Sequence, residues 1–166
     1  MRLTQDLAAA DRRYLWHPFT QQRGWCAEEP PVVIDHAEGS RLYDTDGNVY
    51  LDGVSSLWCN VHGHRHPTID EAVRAQLGRV AHSTMLGLSH EPAITLAEKL
   101  ISIAPPGLSR VFYSDSGSTA VEVALKMAFQ WWAQLGEPHR TGFICLENAY
   151  HGDTIGSVSV GGIDTF

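Results

Sequence analysis

The chain has 166 residues, 43% of them hydrophobic and 19% charged. That mixture fits a globular protein with a buried core and excludes an intrinsically disordered segment. Asp+Glu number 19 against 12 Lys+Arg, a net charge of −7 with no basic run, which argues against a nucleic-acid partner.

Met1 to Ala10 carries Asp6 and has no long apolar run, so no signal peptide is expected. The pattern predicts a short opening helix from Thr4 to Arg13. Pro18 keeps His17 out of helical geometry, so that helix should stop near Leu15. Pro30-Pro31 marks a break. The runs Val32-Val33-Ile34, Arg41 to Asp44 and Asn48 to Leu51 then read as a small antiparallel meander. Its second and third strands are joined through Asp46-Gly47, a strong hairpin signal.

Gly53 to His66 reads as a loop dense in small, aromatic and histidine residues. Pro67 opens a helix, Thr68 to Leu77, with Ile69, Val73 and Leu77 on one face. A second helix runs from about Glu91 to Ile103, with Pro92 in its first turn and Pro105-Pro106-Gly107 beyond its end. Arg110 to Tyr113 reads as a short buried strand, 114–118 as a polar turn, and Thr119 to Leu135 as a long helix closed by Gly136. Thr141 to Leu146 reads as a further strand, 147–154 as a loop, and Ile155 to Val160 as an apolar run of open type. Strand, helix, strand at this spacing is a βαβ unit, so the expected class is α/β with a parallel sheet. No stretch approaches the roughly 18 apolar residues that span a bilayer. Cys26, Cys59 and Cys145 are odd in number with no C-x-x-C pair, which fits reduced thiols and a cytoplasmic location. With nothing in the sequence to cover the far side of the sheet, the chain reads as truncated at Phe166.

Three segments carry chemistry. Ser114-Asp115-Ser116-Gly117-Ser118 lies between a strand and a helix, where unpaired N–H groups and the helix dipole attract an anion. Gly117 lets the backbone approach, and the Ser116 and Ser118 hydroxyls can donate. A plain N-cap explains the same residues equally well. A nucleophile elbow fails because serines occupy its glycine positions, and a P-loop fails because no Gly-Lys-Ser/Thr follows. The helix that follows is apolar nearly all round and should be buried on most sides, with Lys126 a solvated partner of Glu122. The second segment, Asn148 to Thr154, follows a strand of the βαβ unit, where α/β proteins place ligands. Its Tyr150 could stack on a planar ring or simply pack at the sheet edge. The third is Trp58 with His62, His64 and His66. Gly63 and Pro67 interrupt any strand and no Cys or carboxylate lies among the three histidines, so a pocket wall is a better reading than zinc.

Tyr14 to Gln21 (Tyr-Leu-Trp-His-Pro-Phe-Thr-Gln), Asp52 to Trp58 continuing into His62-Gly63-His64, Asp115 to Ser118 followed by Ala120 to Ala124, and Tyr150 to Thr154 occur in order over almost the whole chain. Together they resemble the class III aminotransferases, which use pyridoxal 5'-phosphate (PLP). The first two resemble the branch that acts on 8-amino-7-oxononanoate with S-adenosylmethionine or lysine as amino donor, giving 7,8-diaminononanoate for biotin biosynthesis.

The resemblance implies the N-terminal part of a fold-type I PLP-dependent transferase. Residues 1–66 would be the N-terminal segment and meander of the small domain, and 67–166 the beginning of the large cofactor domain. It further implies a homodimer when full length, with a keto acid and an amino donor as small-molecule partners. By the same resemblance Gly117 and Ser118 hold the PLP phosphate, Ser116 shapes that turn, and Tyr150, with His151 beside it, lies on the cofactor ring and touches substrate. Leu57 and Trp58 line the substrate channel, and Phe19 faces the keto substrate. Some members carry Trp at position 57 and Tyr at position 19, so Phe19 lacks a hydroxyl found elsewhere. The Schiff-base lysine is expected beyond Phe166, since Lys99 and Lys126 sit within helices, and the isolated chain is expected to be inactive. Another class III ω-aminotransferase, or a non-catalytic phosphate- or nucleotide-binding protein, are the alternatives.

Overall fold

The computed structural model describes residues 3–27 and 30–163. The reading of truncation at Phe166 lies outside them. The chain forms two compact units, Met1–Ser83 and Thr84–Phe166.

In the first unit, α1 (Thr4–Tyr14) ends at Leu15, which adopts an extended conformation, as the Pro18 argument requires. Helix α2 (Gln22–Ala27) follows. Asp11 ties the two together: it meets His17 Nε2 at 3.0 Å and accepts the Trp25 indole N–H at 3.2 Å.

The meander comprises β1 (Ile34–Glu38), β2 (Arg41–Asp44) and β3 (Val49–Leu51), antiparallel in the order β1-β2-β3. The first strand was expected at Val32 to Ile34 and lies further along. The tight turn through Gly39 (φ +54°) sets the register Glu38↔Arg41, so the residues that face β2 begin only at Ile34. Gly47 (φ +86°) supplies the left-handed residue of the second hairpin. Asp44 organises that hairpin. Its buried carboxylate accepts the Asp46 and Asn48 N–H groups at 3.0 and 2.8 Å, the Asn48 amide at 2.9 Å and the Tyr50 hydroxyl at 2.9 Å. The Asn48 bonds in particular hold its carboxyl below the usual range.

The segment expected as a plain loop contains a single turn, α3 (Ser55–Trp58), before α4 (Pro67–Leu77). Four successive L-residues in α3 have positive φ: Ser55 +51°, Ser56 +48°, Leu57 +61° and Trp58 +70°. Left-handed helical geometry costs roughly 1–2 kcal/mol per residue, or about 4–8 kcal/mol over the turn.

The second unit contains α5 (Glu91–Ile103), α6 (Gly117–Gln134) and α7 (Ile155–Ser159). Pro92 lies in the first turn of α5, and His90 caps it by accepting the Ala93 N–H at 3.3 Å. Residues 110–113 and 141–146, expected as strands, carry no ladder among the described residues. A strand is defined by its hydrogen-bonded neighbour, and neither segment finds one among the described residues. Helix α6 differs as well, having no buried residue. It packs against α7, the turn at 152–154 and Phe143, whose ring centre is 5.2 Å from that of Phe129, and the Arg140 guanidinium lies over Trp132. Met127 and Trp131 therefore stay exposed.

Candidate active site

The turn at 114–118 is built by its hydroxyls. Ser116 is the N-cap of α6 and accepts the Thr119 N–H at 3.2 Å, while the Thr119 hydroxyl accepts the Ser116 N–H at 3.0 Å. Asp115 meets the Thr119 hydroxyl at 3.0 Å, and this bond is the main cause of its carboxyl lying below the usual range. Capping and anion binding are not alternatives here. The cap engages Thr119, whereas Gly117 and Ser118, the first two residues of an 18-residue helix, have no intrahelical carbonyl for their N–H groups. A Cβ at Gly117 would meet no atom within 4 Å, so the space beside Gly117 is open.

Ser118 is the junction with the second predicted segment. Its Oγ accepts the Thr154 N–H at 3.0 Å and lies 2.8 Å from Thr154 Oγ1. Its carbonyl accepts the hydroxyl of Ser157, a residue with no solvent exposure, at 2.8 Å. Gly152 (φ +127°) packs directly on Ser118, where an added Cβ would lie 2.3 Å from Ser118 Cβ. One turn along α6, the Glu122 carboxylate accepts the Gly156 N–H at 2.7 Å. Hydrogen bonds from Thr154 first, then Gly156, hold its carboxyl below the usual range, and Lys126 contributes the least of the named causes. The expected Glu122–Lys126 partnership is thus secondary. A backbone N–H aimed at the carboxylate competes better than a flexible ammonium on an exposed helix face.

The structure therefore brings the serine turn and the 150–154 turn together. Tyr150 is half exposed, and a hydrogen bond to Asp153 raises its phenol pKa, so it remains neutral and oriented. His151 is exposed beside it. An anion at Gly117 and Ser118 with a flat ring near Tyr150 fits these residues: two N–H donors at the positive end of a helix dipole, an adjacent hydroxyl and an accessible aromatic face.

Phe19, Leu57 and Trp58 belong to the first unit. All three are exposed and all have positive φ. The α3 turn is held by Asp52, which accepts the Ser56 N–H and the Ser56 hydroxyl, each at 2.8 Å, and meets His64 Nε2 at 2.8 Å. The Ser56 backbone bond leads in keeping the Asp52 carboxyl below its usual range. The histidines diverge. His64 pairs with Asp52 and Asn60, while His62 and His66 meet edge to face at 5.9 Å. Among the described residues no group of three or more His, Cys, Asp or Glu could hold a metal ion.

Thr154, Ser157 and the Asp52–His64 pair were not found by sequence reasoning. The Thr-x-x-Ser spacing at 154–157 was the only local hint, and nothing in the residues links Asp52 to a histidine 12 positions on.

The aminotransferase class-III family model matches residues 25–165. A protein of Nitratidesulfovibrio vulgaris named adenosylmethionine-8-amino-7-oxononanoate aminotransferase is 63% identical over 98% of this chain and 30% of its own length. One of the same name from Geobacter sulfurreducens is 57% identical over 98% and 36%. The crystal structure of the adenosylmethionine-8-amino-7-oxononanoate aminotransferase of Methanocaldococcus jannaschii superposes with a TM-score of 0.90 at 46% identity, covering 95% of this chain and 36% of that one. The chain thus spans about a third of the length of these relatives, and its fold is the corresponding part of a transaminase of fold type I. Among the described residues, no helix is long and apolar enough to cross a membrane. With the match running through both the serine turn and the Tyr150 turn, the chain belongs to the class-III aminotransferases.

Proposed function

We propose that this chain is the N-terminal segment and phosphate-gripping portion of a PLP-dependent enzyme that transfers an amino group onto 8-amino-7-oxononanoate. The observation that carries the reading is the interlock of Ser118 with Gly152, Thr154 and Ser157. It fixes an anion-binding helix end beside an accessible tyrosine. Relatives of that specific name, at 46–63% identity, support the substrate class.

PLP, when bound, supplies an electron sink for transamination. This chain's residues hold and orient it. Gly117 and Ser118 N–H groups bind the phosphate, and the Ser118 hydroxyl can turn from Thr154 to donate to it. Ser116 keeps the helix end wound, Tyr150 covers the ring, and His151 flanks it. Leu57 and Trp58 form an apolar wall for the acceptor's aliphatic chain, with Phe19 facing the keto acid. Neither Lys99, within α5, nor Lys126, within α6, is the covalent anchor, which lies in the rest of the protein. The boundary between small and large domain falls at 66/67. The complete enzyme is a cytoplasmic homodimer, a location consistent with three exposed free thiols.

The test is the amino-acceptor range of the full-length protein. 8-Amino-7-oxononanoate with adenosylmethionine or lysine should turn over faster than any ω-amine pair. Preference for ω-amines would favour the second reading, an ω-transaminase, which a Pseudomonas jessenii ω-transaminase structure at 34% identity and TM-score 0.88 supports more weakly.

A further inference from the structure

The left-handed turn at 55–58 needs something to hold it, because its own sequence contains no residue suited to that conformation. Ser-Ser-Leu-Trp has no Gly, Asn or Asp, the residues that enter positive φ most readily. Three backbone bonds close the turn: Trp58 N–H to Val54 O at 2.8 Å, and the Cys59 and Asn60 N–H groups to Ser55 O at 3.0 and 2.9 Å. They satisfy the backbone but do not offset the cost of four left-handed residues. What distinguishes this turn is the side chain that precedes it.

We propose that Asp52, locked by His64, is a positioning residue that keeps the 55–58 turn left-handed and thereby presents Leu57 and Trp58. The Asp52 side chain is 5% exposed and that of His64 16%, whereas Trp58 is 76% exposed. A shielded hydrogen-bonded pair therefore lies behind a displayed aromatic. Each carboxylate oxygen has a partner on Ser56, and the second oxygen also meets His64. His64 is itself fixed. Its backbone pairs with Gly39 in both directions, at 3.1 and 2.8 Å, and Asn60 Nδ2 reaches its ring at 2.7 Å. The meander thus anchors the histidine, the histidine anchors the carboxylate, and the carboxylate fixes Ser56 in the middle of the strained turn. Charge-assisted bonds of this kind are about twice as strong as neutral ones, which suits a device that must hold backbone strain. The functional half of this inference rests on the assignment of Leu57 and Trp58 to the substrate channel; the conformational half does not.

The experiment uses the full-length PLP-loaded protein with Asp52→Ala, Asp52→Asn, His64→Gln, Trp58→Ala and the Asp52→Ala/Trp58→Ala double variant. Amide hydrogen exchange reads the turn directly. Exchange at Trp58 and Cys59 should accelerate at least tenfold in Asp52→Ala, and less in Asp52→Asn, which keeps an acceptor for the Ser56 N–H. Unchanged exchange in Asp52→Ala overturns the proposal. Kinetics read the consequence. KM for the keto substrate should rise about tenfold in Asp52→Ala and Trp58→Ala alike, and the double variant should be no worse than Trp58→Ala. Additive losses would overturn the positioning role. Faster exchange with kinetics indifferent to Trp58→Ala would refute the channel assignment while leaving the latch intact. Should Asp52→Ala not fold, Asp52→Asn and His64→Gln carry both readouts.

Discussion

Replacing Gly152 by alanine tests the interlock at the centre of the site. The new Cβ would lie 2.3 Å from both Cβ and Oγ of Ser118 and 2.7 Å from its Cα, and the residue would keep φ near +127°. Ordinary contact begins at 3.4 Å, so relief requires a separation of about 1.1 Å. Ser118 cannot yield cheaply, since its hydroxyl and carbonyl are tied to Thr154 and Ser157 and its backbone opens α6. Overpacking costs about 1–3 kcal/mol and an L-residue in this backbone region a further 1–3 kcal/mol. The 150–154 turn is the softer partner and should move. We therefore expect a loss of roughly 2–4 kcal/mol in stability, part of the strain being relieved by that movement. Half-saturation by PLP should rise at least tenfold, because the serine turn and Tyr150 would no longer face the same ligand. Equilibrium urea unfolding and PLP titration of the full-length protein measure both. Ser118→Gly in the same chain removes two of the three clashing atoms and should restore part of the stability. A Gly152→Ala protein as stable as the parent, with unchanged PLP affinity, would refute the reasoning.

Ser116→Ala removes the α6 cap and should cost about 1 kcal/mol in urea unfolding, with PLP binding weakened less than by Gly152→Ala. Glu122 titrates lower in the folded chain than its ordinary 4.5, so its stabilising contribution is complete above that value and is lost as pH falls through the depressed folded value. Glu122→Gln should accordingly flatten the decline in stability below about pH 4.5, which acid titration by circular dichroism would show. Ser55→Gly relieves one left-handed residue at the expense of backbone entropy, and should be neutral or stabilising by about 0.5 kcal/mol in urea unfolding. Lys99→Ala and Lys126→Ala should leave borohydride trapping of PLP in the full-length protein unchanged; loss of trapping in either would reassign the anchor.

The elements punctuated by their own residues were legible in the sequence. Pro92 and Pro105-Pro106-Gly107 fix the ends of α5, and Asp46-Gly47 fixes the hairpin between β2 and β3. The serine turn was legible as an anion-binding candidate because helix N-termini have local signatures. Its bracing was not, since Ser118 and Thr154 lie 36 residues apart and only folding makes them neighbours. Segments 110–113 and 141–146, expected as strands, form no ladder among the described residues, because an extended apolar run says nothing of whether a pairing edge is available. The burial expected of α6 failed for the same reason: Met127 and Trp131 show apolar character, but their packing partners are not coded within the helix. The left-handed turn was least legible, its cause lying in Asp52 and His64 rather than in the four residues that adopt it.

The handedness of that turn limits how its side chains can be exchanged. Branching at Cβ crowds a backbone at φ +61° or +70° far more than straight-chain substituents do. Libraries that diversify positions 57 and 58 to recruit new substrates should therefore favour Met, Gln, Asn, His and aromatic residues, and omit Val, Ile and Thr. Variants of the latter kind would lose the shape of the wall before they altered its chemistry.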